Sequence, residues 1–105
     1  MKLNFNFPIT DLSGQPIEQA IEMPDKSIKK ETLFMHKIFA NTMISPNVKE
    51  GDVIKKNVLA EEIYQKGEIE VDEADFMLIK KIAELPDIFA PRVKYLLSSY
   101  LNTVK

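Results

Sequence analysis

Apolar and polar residues alternate at the start of the chain, where Leu3, Phe5 and Phe7 are separated by Asn4 and Asn6. A period of two places the apolar side chains on one face of a half-buried strand. Pro8 ends that strand or assigns it to an edge, because proline has no N–H to give a neighbour. The segment Asp11-Leu12-Ser13-Gly14-Gln15-Pro16 reads as a turn, since Asp bonds its own backbone and Gly takes positive φ without a steric penalty. Ile17, Gln19, Ile21 and Met23 then alternate with Glu18, Ala20 and Glu22, which predicts a second strand. Residues 1–24 are therefore expected to form an N-terminal β-hairpin with a long connection. Pro24-Asp25-Lys26-Ser27 is a further turn, and Ile28 to Glu31 fits no single template.

The period changes after Thr32, whose hydroxyl suits an N-cap. Leu33, Phe34, Met35, Ile38, Phe39 and Met43 predict an amphipathic helix over residues 32–44, stopped by Ser45-Pro46-Asn47. Asp52 is the expected N-cap of a helix over 53–66, with Val53, Leu59, Ala60, Ile63 and Tyr64 on one face. Ile54 and Val58 fall off that face, which suggests cover on two sides. Gly67 suits the position after the helix end. Glu68-Ile69-Glu70-Val71 alternates as a short third strand. Asp72 then caps a helix over 73–85, and Pro91 opens the last one, over 91–103. There Val93, Leu96, Leu97, Tyr100, Leu101 and Val104 recur at i, i+3, i+4, i+7, i+8 and i+11, the cleanest helical stripe in the sequence. The expectation is one α+β domain over 1–105, a small antiparallel hairpin packed on about four short helices.

Composition narrows the function. A hydrophobic content of 45% with 29% charged residues fits a folded chain. The net charge of −2 gives no general attraction to phosphates. There are no cysteines, so disulfide scaffolds, thiolate nucleophiles and thiolate metal sites are excluded. No apolar run approaches the ~20 residues of a membrane span, and Met1-Lys2-Leu3-Asn4 lacks a signal-peptide core. A cytoplasmic location is the simplest expectation.

Each candidate for chemistry has a structural explanation beside it. The acids Glu68, Glu70, Asp72, Glu73 and Asp75 could ligate a hard cation, but they lack the glycine and distal glutamate of an EF-hand loop. Asp72, Glu73 and Asp75 also sit where a helix N-terminus favours negative charge. His36, the one histidine, has Thr32 and Ala40 at i−4 and i+4, neither of them a ligand or an orienting carboxylate. Three well-separated glycines, Gly14, Gly51 and Gly67, build no phosphate-cradling loop. No cofactor is implied, and no enzymatic activity is expected. Lys26, Lys29, Lys30, Lys55 and Lys56 carry the alternative reading, a nucleic-acid-binding regulator. The acidic balance and the single arginine, Arg92, argue against it.

The apolar surplus points elsewhere. Phe34 and Met35 widen the first helix beyond a core stripe, Met77 and Leu78 widen the third, and Ile88-Phe89 lie at a corner between helices. If one small core cannot absorb them, these six form a surface for self-association or for a protein partner. The alternative is that the sheet covers them.

The order of these features also carries a resemblance. It runs from the Asn4-Phe5 strand and the Asp11-x-x-Gly14-x-Pro16 turn through the Leu33-to-Ala40 helix. Ala60, Tyr64 and Gly67 then end a helix, before Val71-Asp72-x-x-Asp75-Phe76 and the closing Leu96-Leu97 helix. Over most of its length the chain resembles small uncharacterised proteins of tailed bacteriophages and prophages. The resemblance implies a phage context and a non-enzymatic role in assembly or in handling a host protein. It transfers no site residue.

Overall fold

The computed structural model describes residues 1–104; Lys105, where the expected domain ends, lies outside the described residues. The element order is β1 (Lys2–Asn4), β2 (Glu18–Glu22), β3 (Ile28–Thr32), α1 (Met35–Met43), α2 (Val53–Lys66), β4 (Glu68–Glu70), α3 (Glu73–Ala83) and α4 (Pro91–Val104). The fold is α+β, with four helices and two small antiparallel sheets, each of two strands.

The strand partners differ from the expected hairpin over 1–24. β1 pairs with β4, in the register Lys2↔Glu70, Leu3↔Ile69, Asn4↔Glu68. β2 pairs with β3, from Glu18↔Thr32 to Glu22↔Ile28. Burial explains the choice. Leu3 and Phe5 are fully buried and need an apolar neighbour, which Ile69 supplies directly opposite Leu3. β2 offers no buried residue, and only Ile21 is half-covered. The Phe5 N–H then donates to Gly67 O (2.7 Å). What remains of the expected hairpin is its turn end, where Thr10 faces Pro16 and Ile17 N–H donates to Ile9 O (2.8 Å).

The core gathers Leu3, Phe5, Met35, Phe39, Met43 and Ile63 with Ile79, Ile82, Leu97 and Leu101, all 0–1% exposed. Phe5 stacks on Phe39 with centroids 5.1 Å apart, and Tyr100 meets Phe5 edge-on at 5.7 Å. Both geometries suit the ring quadrupole. Tyr100 Oη also accepts the Asn4 N–H (2.7 Å), so α4 holds β1 by packing and by a backbone contact.

The helix signals at Asp52, Gly67 and Asp72 act as expected. Asp52 accepts the Lys55 N–H (2.9 Å), Asp72 accepts the Asp75 N–H (2.7 Å), and Gly67 takes φ 74° at the end of α2. Thr32 does not cap α1, because it is still paired with Glu18 in β3. The chain stays extended through Phe34, whose cap position makes no side-chain bond, and the Met35 N–H goes to Phe7 O instead (2.9 Å). The expected 32–44 helix is thereby shortened to Met35–Met43. The helix expected over 73–85 ends at Ala83, and Leu85 lies in the turn that follows, its N–H donating to Ile82 O (3.2 Å). α2 is covered on one side only: Lys56, Leu59, Ala60 and Ile63 are buried, while Val53, Ile54 and Val58 are 59–75% exposed.

Candidate functional site

The six residues of the expected partner surface do not form one patch. Met35 (0% exposed) and Phe89 (8%) belong to the core, where Phe89 stacks on Phe39 at 5.9 Å. Phe39 thus stacks on both Phe5 and Phe89, and Met35 is closed into the same close-packed core. Ile88 is half-buried against the same core. Phe34 lies half-buried at the start of α1, 5.7 Å from the His36 ring. Leu78 packs over Gly51. Only Met77, at 53%, is exposed.

The lysine set also comes apart. Lys56 is 5% exposed, its ammonium donating to Val48 O (2.7 Å). Lys55 pairs with Asp75 at 2.7 Å. That contact raises the Lys55 pKa, first through the hydrogen bond and then through the charge of Asp75. Lys26, Lys29 and Lys30 stand apart from these two, on the β2–β3 hairpin and its turn. In the acidic run, Asp72 caps α3, Asp75 takes Lys55, Glu68 takes Lys2 (3.3 Å) and Glu70 takes the N-terminal ammonium (3.3 Å). Among the described residues no group of three or more His, Asp or Glu side chains is placed to hold a metal ion, and no helix is long and apolar enough to cross a membrane.

The large apolar side chains that do reach solvent include Leu12, 93% exposed, and Tyr95, 63% exposed. They line one shallow depression with Asp11, Ile17, Pro91 and Arg92. The loop that presents Leu12 is held from two directions. From within, Asp11 Oδ1 accepts the Ser13 N–H (2.9 Å), the Ser13 hydroxyl (2.6 Å) and the Gln15 N–H (3.1 Å). The Ser13 hydroxyl, followed by the Gln15 N–H, keeps the Asp11 carboxyl below its ordinary pKa, so the loop is tied by a carboxylate at neutral pH. From outside, Arg92 on the first turn of α4 donates Nε to Thr10 O (2.7 Å) and Nη2 to Asp11 O (3.0 Å) and Thr10 Oγ1 (3.2 Å). The guanidinium carbon lies 5.6 Å from the centre of the Tyr95 ring.

The Leu12 side chain itself lies outside the core. Leu12 contributes almost no buried surface, yet its backbone is fixed by one carboxylate and one guanidinium. A fixed loop loses little freedom when it docks, which is how preorganisation raises affinity. Tyr and Arg are the residue types most often found at the energetic centre of protein interfaces. The arrangement sets the apolar side chain of Leu12 beside the Tyr95 ring, with the Asp11 carboxylate and Ser13 hydroxyl bonded to each other beneath it.

A second depression, of about 210 Å³, lies between α1 and α2, with Ile44, Tyr64, Ala40 and Ala60 on its walls. Its apolar residues sit on α1 and α2, which pack together anyway, or, for Ile44, at the end of α1, so its shape follows from the fold.

Neither Leu12 nor Tyr95 is among the six residues of the expected partner surface. The signal for Leu12 was a large apolar residue inside a turn otherwise made of Asp, Ser, Gly and Gln. The signal for Tyr95 was an aromatic ring off the Val93–Leu96–Leu97–Tyr100 stripe. No protein-family model matches the chain, and no curated protein or solved structure matches it.

Proposed function

We propose that this chain is a small non-catalytic interaction protein that binds a protein partner through the Leu12–Tyr95 surface. One observation carries the reading: a loop tied by Asp11 and Arg92 holds Leu12 93% exposed beside Tyr95 and Pro91. An isolated exposed leucine needs no explanation, but one on a braced loop above an apolar floor does. The resemblance to tailed-phage proteins supports a phage or prophage origin. It also supports a role in assembly or on a host protein, in the cytoplasm of the host cell.

The test is quantitative capture from a bacterial lysate with tagged wild type, Leu12→Asp, Tyr95→Ser and a control substitution, Met77→Ser. The expected result is a discrete species held by wild type and by the control, and released by both surface variants at unchanged melting temperature. Identical retention by all four proteins overturns the reading.

A further inference from the structure

We infer that the outer edge of β3 is a self-pairing edge, along which two copies of this chain join antiparallel about a twofold axis at Lys30. The inference goes beyond the Leu12–Tyr95 reading and uses a different part of the molecule.

The β2–β3 ladder is a two-stranded sheet, one face of which turns Gln19, Ile21 and Glu31 toward Lys37 and Ile38 of α1 across a shallow depression, while most of its side chains stay exposed. All of β2 but Ile21 is exposed, as are Ile28, Lys29 and Lys30 of β3, with Ile28 at 72%. A lone hairpin is marginally stable, and a third or fourth strand is the usual remedy. Yet this one is fastened at both ends. At its base, three backbone bonds close a ring: Ile9 N–H to Leu33 O (2.8 Å), Leu33 N–H to Ile17 O (3.0 Å) and Ile17 N–H to Ile9 O (2.8 Å). At its tip, Met23 N–H donates to Ser27 O (2.8 Å), and Asp25 Oδ1 accepts the Ser27 N–H (3.0 Å) and hydroxyl (2.6 Å). The result is a braced arm.

The bonds at the two ends fix which backbone groups point outward. Residues 17, 23, 27 and 33 bond across the ladder, so its odd-numbered residues face inward. By the antiparallel alternation, Ile28, Lys30 and Thr32 turn their N–H and C=O groups away from β2. Glu18, Ala20 and Glu22 do the same on the other edge. The segment around Pro8 does not cover the β3 edge, because it bonds the inward-facing Leu33 and the Met35 N–H.

Charge decides between the two edges. If β2 pairs with β2 so that all three outward residues are used, Glu18 meets Glu22 of the second copy twice, and like charges directly opposed destabilise a sheet. If β3 pairs with β3 in the matching register, Ile28 meets Thr32 and Lys30 meets itself at the axis. Lys29 then faces Glu31 of the second copy, twice. These are the close, non-hydrogen-bonded positions, with Cα atoms about 4.5 Å apart, where opposite charges couple best. The single like pair, Lys30 with Lys30, falls at the wider spacing of about 5.5 Å, where two long side chains can diverge into water. A mixed β2–β3 contact that uses all three outward residues of each edge opposes Gln19 with Glu31 and Ile21 with Lys29, and offers no directly opposed charge pair. The present partner of Glu31 is Lys37 at 3.6 Å, with both side chains over 40% exposed, a weak contact to give up. The product is a four-stranded sheet in the order β2-β3-β3-β2.

Sedimentation equilibrium of the full chain over a concentration series tests this. Wild type is expected to show a monomer–dimer equilibrium. Lys30→Pro, which removes an N–H that the hairpin itself does not use, is expected to leave a monomer. Glu31→Lys and Lys29→Glu each turn attraction into repulsion and should weaken the dimer by about tenfold, whereas Lys29→Glu/Glu31→Lys restores opposite charges and should return it to about the wild-type level. Leu12→Asp should leave the dimer unchanged, which separates this outcome from the partner-binding reading. A wild type that stays monomeric throughout overturns the inference. So does a dimer indifferent to Lys30→Pro and to both charge reversals, since it would be joined elsewhere.

Discussion

The ammonium of Lys56 donates to the backbone carbonyl of Val48 across 2.7 Å, inside the protein. Lys56 is the one buried charged side chain among the described residues, at 5% exposure, and no carboxylate reaches it. The bond ties α2 to the loop between Met43 and Val53, whose Val48 side chain is itself buried.

Lys56→Met tests that tie, because methionine keeps most of the stem volume and removes the donor. Val48 O would then be left without a partner, a loss that ordinarily costs about 1–3 kcal/mol. Urea unfolding should show a loss of that size. A change under about 0.5 kcal/mol would mean that water takes over the carbonyl at no cost.

Two glycines give a contrast. Gly67 sits at φ 74°, and an added Cβ would lie 2.8 Å from Asn6 Cβ. Gly14 has φ 88° and open space around it. Gly14→Ala should therefore cost only the left-handed strain of about 1 kcal/mol. Gly67→Ala adds a clash against the chain leading out of β1 and should cost clearly more, about 2–4 kcal/mol. Equal losses in thermal unfolding would show that the Asn6 side yields freely.

The last helix supplies a packing test. Leu97 is fully buried, on the stripe that meets the core. Leu97→Ala should cost about 2–5 kcal/mol by chemical denaturation, the range for a leucine emptied from a close-packed core. A loss below about 0.5 kcal/mol would place that stripe at the surface.

These sites differ in how far the sequence revealed them. Asp52, Asp72, Gly67 and the Leu97–Leu101 stripe act through neighbours within one or two turns, and local patterns carry local interactions. The partner of β1 was not readable, because Leu3 and Ile69 are 66 positions apart and alternation alone does not choose between two strands. The burial of Phe89 depends on how three aromatic rings stack, which composition leaves open. Leu12 was legible only as an oddity. Its meaning rests on Arg92, 81 residues from Asp11, and no local pattern links them.

His36 carries a pH signature. Its Nδ1 is buried without a hydrogen-bond partner. Desolvation, and secondarily the charge of Lys37, lowers its pKa below the ordinary 6.5. A histidine that protonates more readily when unfolded makes the unfolded state bind more protons near pH 6, so stability rises with pH there. The contribution is fully present above about pH 6.5, declines as pH falls from that value toward the folded-state pKa, and is flat below it. His36→Gln removes the group. The stability difference between wild type and variant should be constant from pH 8 to about pH 7, then shift against wild type on going to pH 5. Carboxylates titrate in both proteins and cancel in the difference. Urea midpoints at half-unit pH steps would measure it, and parallel profiles through pH 6 would show that His36 protonates equally well in the folded and unfolded chain.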